Sequence, residues 1–231
     1  MLEAIELTKK YEDHTALDQL NLKVASGEVF CLMGQNGAGK TTTLNLFLGF
    51  IKPTSGEARI DGKPVLAGQQ VHDIAYIPEV VMLYPHLSSL ENLDFFSRLA
   101  GFKYSKNELC NYLSQAGLQS EAFVKRVGRQ SKGMRQKIGI AIAIAKNAKV
   151  ILMDEPTSGL DPRAMYEFNE IVRQMTRAGK TILMATHDIY HAVNIGTNLG
   201  IMKDGSLVES VQAKDISAEN LEKLYLDIAG R

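Results

Sequence analysis

Val29-Phe-Cys-Leu-Met-Gly34-Gln-Asn-Gly-Ala-Gly39-Lys40-Thr41-Thr42 is the stretch that decides the fold. Its five leading apolar residues read as a short buried strand, and Lys40 to Leu48 reads as a helix. Between them lies G-x-x-x-x-G-K-[ST], whose mechanics require a strand before it and a helix after it. Gly34, Gly37 and Gly39 let the backbone around Asn36 curl until its N–H groups point inward at phosphate oxygens. The helix that follows adds the positive end of its dipole. Lys40 is placed to neutralise β- and γ-phosphates, and Thr41 to offer a hydroxyl to Mg²⁺, with Thr42 beside it in the first helical turn.

A second run, Val150-Ile-Leu-Met-Asp154-Glu155, supplies what a phosphate loop lacks. Four apolar residues bury a strand, and two carboxylates stand at its end. Asp154 is placed to hold Mg²⁺, and Glu155 to orient or deprotonate a water for in-line attack on a γ-phosphate. Adjacent acids are weak evidence alone; beside the glycine loop they complete a nucleoside triphosphate site. His187, after the apolar run Thr181 to Ala185, stands at the carboxyl end of another strand, where parallel sheets place ligand contacts. It is placed to hydrogen-bond the γ-phosphate and fix the attacking water.

Outward from these strands the chain alternates strand and helix, which implies α/β with a mostly parallel sheet. Residues 54–65 read as a hairpin turning at Asp61-Gly62, and Leu199 to Val208 as another turning at Asp204-Gly205. Residues 87–126 are helical in character: Ser89 caps one helix that carries Leu93, Phe96 and Leu99-Ala100 on one side, and Asn107 to Ala116 repeats the pattern with Leu109 and Leu113. Pro162 to Met175 is a helix, and residues 217–228 form a last short one. Residues 138–145, IGIAIAIA, alternate as a strand would, yet Ser131 and Gly133 look like a helix start, and Ala favours helix. Propensity leaves that choice open.

The bulk numbers are those of a soluble globular chain. It has 231 residues, 45% hydrophobic and 23% charged, with 26 basic against 26 acidic side chains. The even balance favours neither a nucleic-acid nor an anionic-membrane partner. No run approaches a membrane span, and the opening residues lack a signal-peptide core; a cytoplasmic location is expected. Cys31 and Cys110 lack metal-ligand spacing, and Cys31 reads as a small buried hydrophobe.

With these motifs in order, the chain resembles the ATP-binding cassette ATPases over nearly its whole length. Gln130-Ser-Lys-Gly-Met-Arg-Gln136 resembles that family's signature sequence, Ser158-Gly-Leu-Asp161 resembles the loop after its catalytic glutamate, and Tyr11 stands where the family sets an aromatic ring under adenine. The resemblance implies a P-loop NTPase (RecA-like) core with a mostly parallel sheet, an N-terminal antiparallel β subdomain and an inserted α-helical subdomain. It resolves residues 138–145 as helix. Core and β subdomain are expected over about 1–84 and 147–215, the helical subdomain over about 85–146, and a C-terminal helix over about 216–231. It further implies that two cassettes pair head to tail around two ATP molecules with Mg²⁺. Each ATP would be gripped by one subunit's Gly34–Thr41 loop and, in trans, by the other's Ser131, Gly133 and Asp161.

The signature departs from the common pattern at Gln130, Lys132 and Met134, and resembles a variant found among ABC-2 type exporters. Lys132 reads either as added positive charge near the shared ATP or as a solvated side chain. In Ala75-Tyr-Ile-Pro-Glu79-Val-Val81 the family usually has Gln where Glu79 stands. A carboxylate facing bare phosphate is repelled, whereas one facing Mg²⁺ is attracted. Glu79 is therefore expected on the metal side of a closed site, the alternative being a connector turn with Glu79 in solvent. Val80 to Tyr84 reads as a dock for a permease or as subdomain core. The expected function is the ATP-hydrolysing subunit of an ABC-2 type exporter, peripheral at the inner face of the membrane through a separate permease. An importer ATPase and a non-transport ATPase acting on ribosomes or DNA are the alternatives.

Overall fold

A computed structural model describes residues 1–69 and 72–230. From the N-terminus, β1 (Leu2–Tyr11) and β2 (His14–Val24) pair antiparallel; β3 (Val29–Met33) then leads through the glycine loop into α1 (Lys40–Phe47). β4 (Ser55–Ile60) and the short β5 (Lys63–Pro64) form the first expected hairpin, whose turn residues Asp61 and Gly62 both take positive φ, 48° and 76°. After β6 (Ile74–Ile77) come α2 (Ser89–Leu99), α3 (Lys106–Gln115) and α4 (Lys132–Ala145). The chain continues through β7 (Val150–Asp154), α5 (Pro162–Arg177), β8 (Thr181–Thr186), α6 (Ile189–Ile195), the hairpin β9 (Asn198–Lys203) and β10 (Ser206–Gln212), and α7 (Ala218–Ala229). The expectation that the last helix region reaches residue 231 lies, for that residue, outside the described ones.

Two sheets result: β2-β1-β4-β5, all antiparallel, and β10-β9-β3-β8-β7-β6, in which only β10 runs against its neighbour. The central strands β3, β8 and β7 of the second are buried on both faces, so β3 reads as an unbroken apolar run. Its alternate side chains serve two cores. Phe30 and Leu32 pack with Leu2, Leu7, Leu17 and Leu20 of the first sheet and Leu44 and Phe47 of α1. Cys31 and Met33 face the other core, with Ile138, Ile171 and Val172 of α4 and α5. Burial pushes the Cys31 thiol up to about 12, in keeping with an inert hydrophobe.

The run IGIAIAIA is helical. Ser131 caps α4 by accepting from the Met134 N–H, and Ile138, Ile140, Ala141, Ala143 and Ala145 are all buried. The helix is enclosed on several sides, so an alternation that mimics a strand satisfies helical burial too. Midway along it, Gly139 lets Val81 approach so closely that a Cβ there would stand 3.1 Å from both Val81 methyls.

Two local expectations are corrected. The cap of α2 is Ser88, which with Glu91 forms a reciprocal capping box; Ser89 is buried in the first turn and donates to the Ala122 carbonyl. Leu99 is 72% exposed, and the inner face of α2 is Ser89, Asn92, Leu93 and Ser97. Three of those four are polar, and an apolar count along the sequence passes over them. Among the described residues no helix is long and apolar enough to cross a membrane.

Candidate nucleotide-binding site

Parallel register gathers the candidate residues at one edge. Met33 of β3 pairs with Thr186 of β8, Asp154 of β7 pairs with Ala185, and Ile77 of β6 pairs with Met153. The glycine loop, Asp154-Glu155, His187 and Glu79 therefore all emerge at the carboxyl ends of adjacent strands, where open α/β sheets bind ligands.

The loop's path is dictated by close approach. A Cβ on Gly34 would stand 2.6 Å from the Met202 carbonyl oxygen, and one on Gly39, at φ 101°, 2.6 Å from that of Ala16. Gly39 caps α1 without a side chain, leaving the first N–H groups of that helix available to an anion. Lys40 folds back, donating to the carbonyls of Gly34 at 2.6 Å and Gln35 at 3.1 Å. Burial lowers its pKa, against the opposing pull of Glu155 and Asp154. Behind the loop a cavity of about 270 Å³ separates Gln35–Ala38 from Tyr225 and Ile228 of α7.

Thr41 Oγ1 donates to Asp154 Oδ2 at 3.2 Å. Burial raises the Asp154 pKa, as do the charges of Glu155 and Glu79, while the Thr41 hydrogen bond and Lys40 oppose the rise. Burial and the nearby Asp154 also push the Tyr76 phenol up to about 12. A half-buried carboxylate in this state gains from a cation. The donors present, hydroxyl and carboxylate oxygens, suit Mg²⁺ completed by nucleotide phosphates. Among the described residues no group of three or more His, Cys, Asp or Glu forms a cage of its own.

Glu155 takes φ 43°, a conformation L-residues adopt at a cost. Its Oε2 lies 2.8 Å from His187 Nδ1 and accepts from the His187 backbone N–H at 3.4 Å. The His187 ring is otherwise open to solvent. Tyr11, 44% exposed, ends β1 with the Lys9 ammonium 4.6 Å from its ring centroid, so one aromatic face is already cation-bound.

Ser131, Gly133 and Asp161 meet away from the loop, in an open cleft of about 430 Å³ between the start of α4 and the start of α5, where Asp161 is the cap. Gln130 is buried. Its amide donates to Ser89 Oγ and to the carbonyls of Ala122 and Lys125, pinning the signature to α2 and the loop after α3. Glu79 does not point into solvent alone: it accepts from Ser158 Oγ at 2.9 Å and lies 3.8 Å from the Lys132 ammonium. The sequence reading missed this contact and weighed the two departures separately; their opposite charges were the available signal. Val80 to Tyr84 divides. Val81 and Leu83 pack on the core, whereas Val80, Met82 and Tyr84 are exposed, with Tyr84 edge-on to Phe95.

Comparison with known proteins matches this arrangement. The profile of the ABC transporter family covers residues 17–158. The bacitracin transport ATP-binding protein BcrA of Bacillus licheniformis is 32% identical over 99% of this chain and 75% of its own length. The lantibiotic transport ATP-binding protein SrtF of Streptococcus pyogenes is 31% identical over 97% of this chain and 96% of its own. Among solved structures, a dimeric post-hydrolysis state of an ATP-binding cassette bound to ADP and Pi superposes with a TM-score of 0.81 at 27% identity, over 92% of this chain and 99% of that one. An ATP-binding subunit of an ABC transporter reaches 0.86 at 28% identity, over 99% of both. A loop, an acid pair and a signature on one such cassette leave a single assignment: this chain belongs to the ABC transporter family, as an ATP-binding cassette that hydrolyses ATP.

Proposed function

We propose that the chain is the nucleotide-driven subunit of an exporter, closing head to tail on a second cassette and driving a separate membrane permease at the inner face of the membrane. The observation that carries the reading is the split site. Ser131, Gly133 and Asp161 line a cleft that includes no residue of the Gly34–Thr41 loop, so one chain holds two half-sites. Head-to-tail pairing joins each loop to the partner's cleft, where the first N–H groups of α4 and the Ser131 hydroxyl face a γ-phosphate. The dimeric neighbour and the transport relatives support the same reading.

Within each half-site Gly34, Asn36, Gly37, Gly39, Lys40, Thr41 and Thr42 bind the triphosphate, and Lys40 exchanges its two loop carbonyls for β- and γ-phosphate oxygens. Tyr11 stacks on adenine. Thr41 and Asp154, with Glu79 on the metal side, would hold Mg²⁺, which offsets charge on the phosphates when bound. Glu155 accepts a proton from the attacking water, and His187, held against Glu155, steadies that water and the γ-phosphate. Val80, Met82 and Tyr84, on the turn that carries Glu79, are exposed, as are Phe95 and Leu99 of α2, and Tyr84 meets Phe95 edge-on. These residues suit the cytoplasmic helices of a permease.

The test is Glu155→Gln, which keeps the shape of the site and removes the base. With ATP and Mg²⁺ it is expected to form a stable dimer in light scattering and to co-purify with a multi-span membrane protein. A variant that binds ATP yet stays monomeric, both in solution and beside its permease, refutes the clamp.

A further inference from the structure

Glu79 and Lys132, two departures from the common family pattern, carry opposite charge and meet in the fold. The Lys132 ammonium lies 3.8 Å from the Glu79 oxygen that accepts from Ser158 Oγ at 2.9 Å. Its stem runs against Gly159, where an added Cβ would be 3.6 Å from Nζ and 3.8 Å from Cδ. Two segments thus converge on the carboxylate carried by the turn after β6: the loop after Glu155 and the start of α4.

Each residue is awkward alone. Lys132 is the first residue of α4, where the positive helix end disfavours a cation. Glu79 adds a third carboxylate near Asp154 and Glu155, and its charge is felt at Asp154. Until Mg²⁺ is bound, that third negative charge repels an incoming polyanion. Together the two offset each other, the carboxylate meeting its countercharge and the cation its acid.

We infer that Lys132 is a positioning residue acting through Glu79: it neutralises and holds that carboxylate, so the two substitutions operate as one charge-matched pair fastening the signature to the metal-side turn of the same chain. The inference rests on the clamp reading above. An exposed ion pair contributes little to stability, so its effect is sought at the nucleotide, where an unmatched charge meets phosphates.

A double-mutant cycle tests it. All variants carry Glu155→Gln, and the readout is the Mg-ATP concentration giving half-maximal dimer. Lys132→Gly and Lys132→Ala, the latter without glycine's added flexibility, are expected to raise that concentration about fivefold when residue 79 is Glu, and less than about twofold when Glu79→Gln is also present. Lys132→Arg, which keeps the charge, is expected to stay within about twofold of the parent. An equal loss in both backgrounds would mean that Lys132 acts directly on the partner's nucleotide, and no loss in either that it is a solvated side chain; both overturn the pair. If the Glu155→Gln parent never dimerises, the clamp fails instead. The cycle is then read on the affinity of the single cassette for fluorescent ATP, with the same supporting and refuting patterns.

Discussion

Gly37 and Gly39 offer a paired experiment, because they share a positive φ and differ in surroundings. Gly37 has φ 87° and nothing within 4 Å of an added Cβ. Gly39 has φ 101°, and its Cβ would meet Ala16 O at 2.6 Å and Met202 Cε at 3.1 Å. Alanine at either position carries the conformational cost of a left-handed residue, about 1–2 kcal/mol. At Gly39 it must also displace a backbone oxygen of β2, which adds about 1–3 kcal/mol of overpacking. For a chain of this size 1 kcal/mol is worth about 2–4 °C in Tm. Gly37→Ala should thus melt about 2–8 °C below the parent, and Gly39→Ala about 4–20 °C below. The assay is calorimetry on the nucleotide-free protein beside an ATP-binding titration. Because β2 is held in its sheet, part of the Gly39 clash is relieved by moving the loop, so Gly39→Ala should lose ATP affinity more than its Tm implies. If Gly39→Ala melts no lower than Gly37→Ala and binds ATP normally, the close approach of loop to β2 does not govern the site.

Asp154→Asn should raise the Tm of nucleotide-free protein while weakening Mg-ATP binding; a lower Tm would refute the burial argument. The sign follows from linkage. The folded pKa of Asp154 is raised, so its stabilising contribution is present below the unfolded value and lost as pH rises through the folded one, a slope that Asp154→Asn should remove from the pH dependence of Tm. In a thiol titration near neutral pH, half-buried Cys110 should react in the native protein and Cys31, pushed up to about 12, only after unfolding; fast reaction of both would place Cys31 outside the core. Met82→Asp should abolish co-purification with the permease, and unchanged recovery would move the dock elsewhere.

What was legible in the sequence was whatever depends on local order along the chain. Gly34 to Thr41 between a strand and a helix, and two acids ending an apolar run, describe a site before any contact is known. Residues 138–145 show the limit of periodicity: a helix enclosed on several sides has no polar face to betray it, so alternation and helix fit the same letters. Ser88 lost the cap to its neighbour in the reading because two serines in sequence offer the same hydroxyl, and only Glu91 reaching back distinguishes them. Gln130 read as a departure from the signature; three hydrogen bonds from its buried side chain make it a fastener, and such partners are invisible until α2 and α4 are packed together. The Glu79–Lys132 contact depends on three chain segments meeting, which no local pattern encodes.

Gly139 carries a consequence of its own. Glycine inside a helix costs about 1 kcal/mol relative to alanine, and here it seats Val81 against bare backbone. With no side chain between them, that contact fixes how closely the turn after β6 approaches α4. Val80 and Met82 stand out on either side of it, with Glu79 just beyond Val80. A methyl at residue 139 would displace Val81, and with it the turn on which Glu79 accepts from Ser158. The missing methyl thus sets the height at which the turn rests on α4, and with it how near the Glu79 charge stands to Asp154.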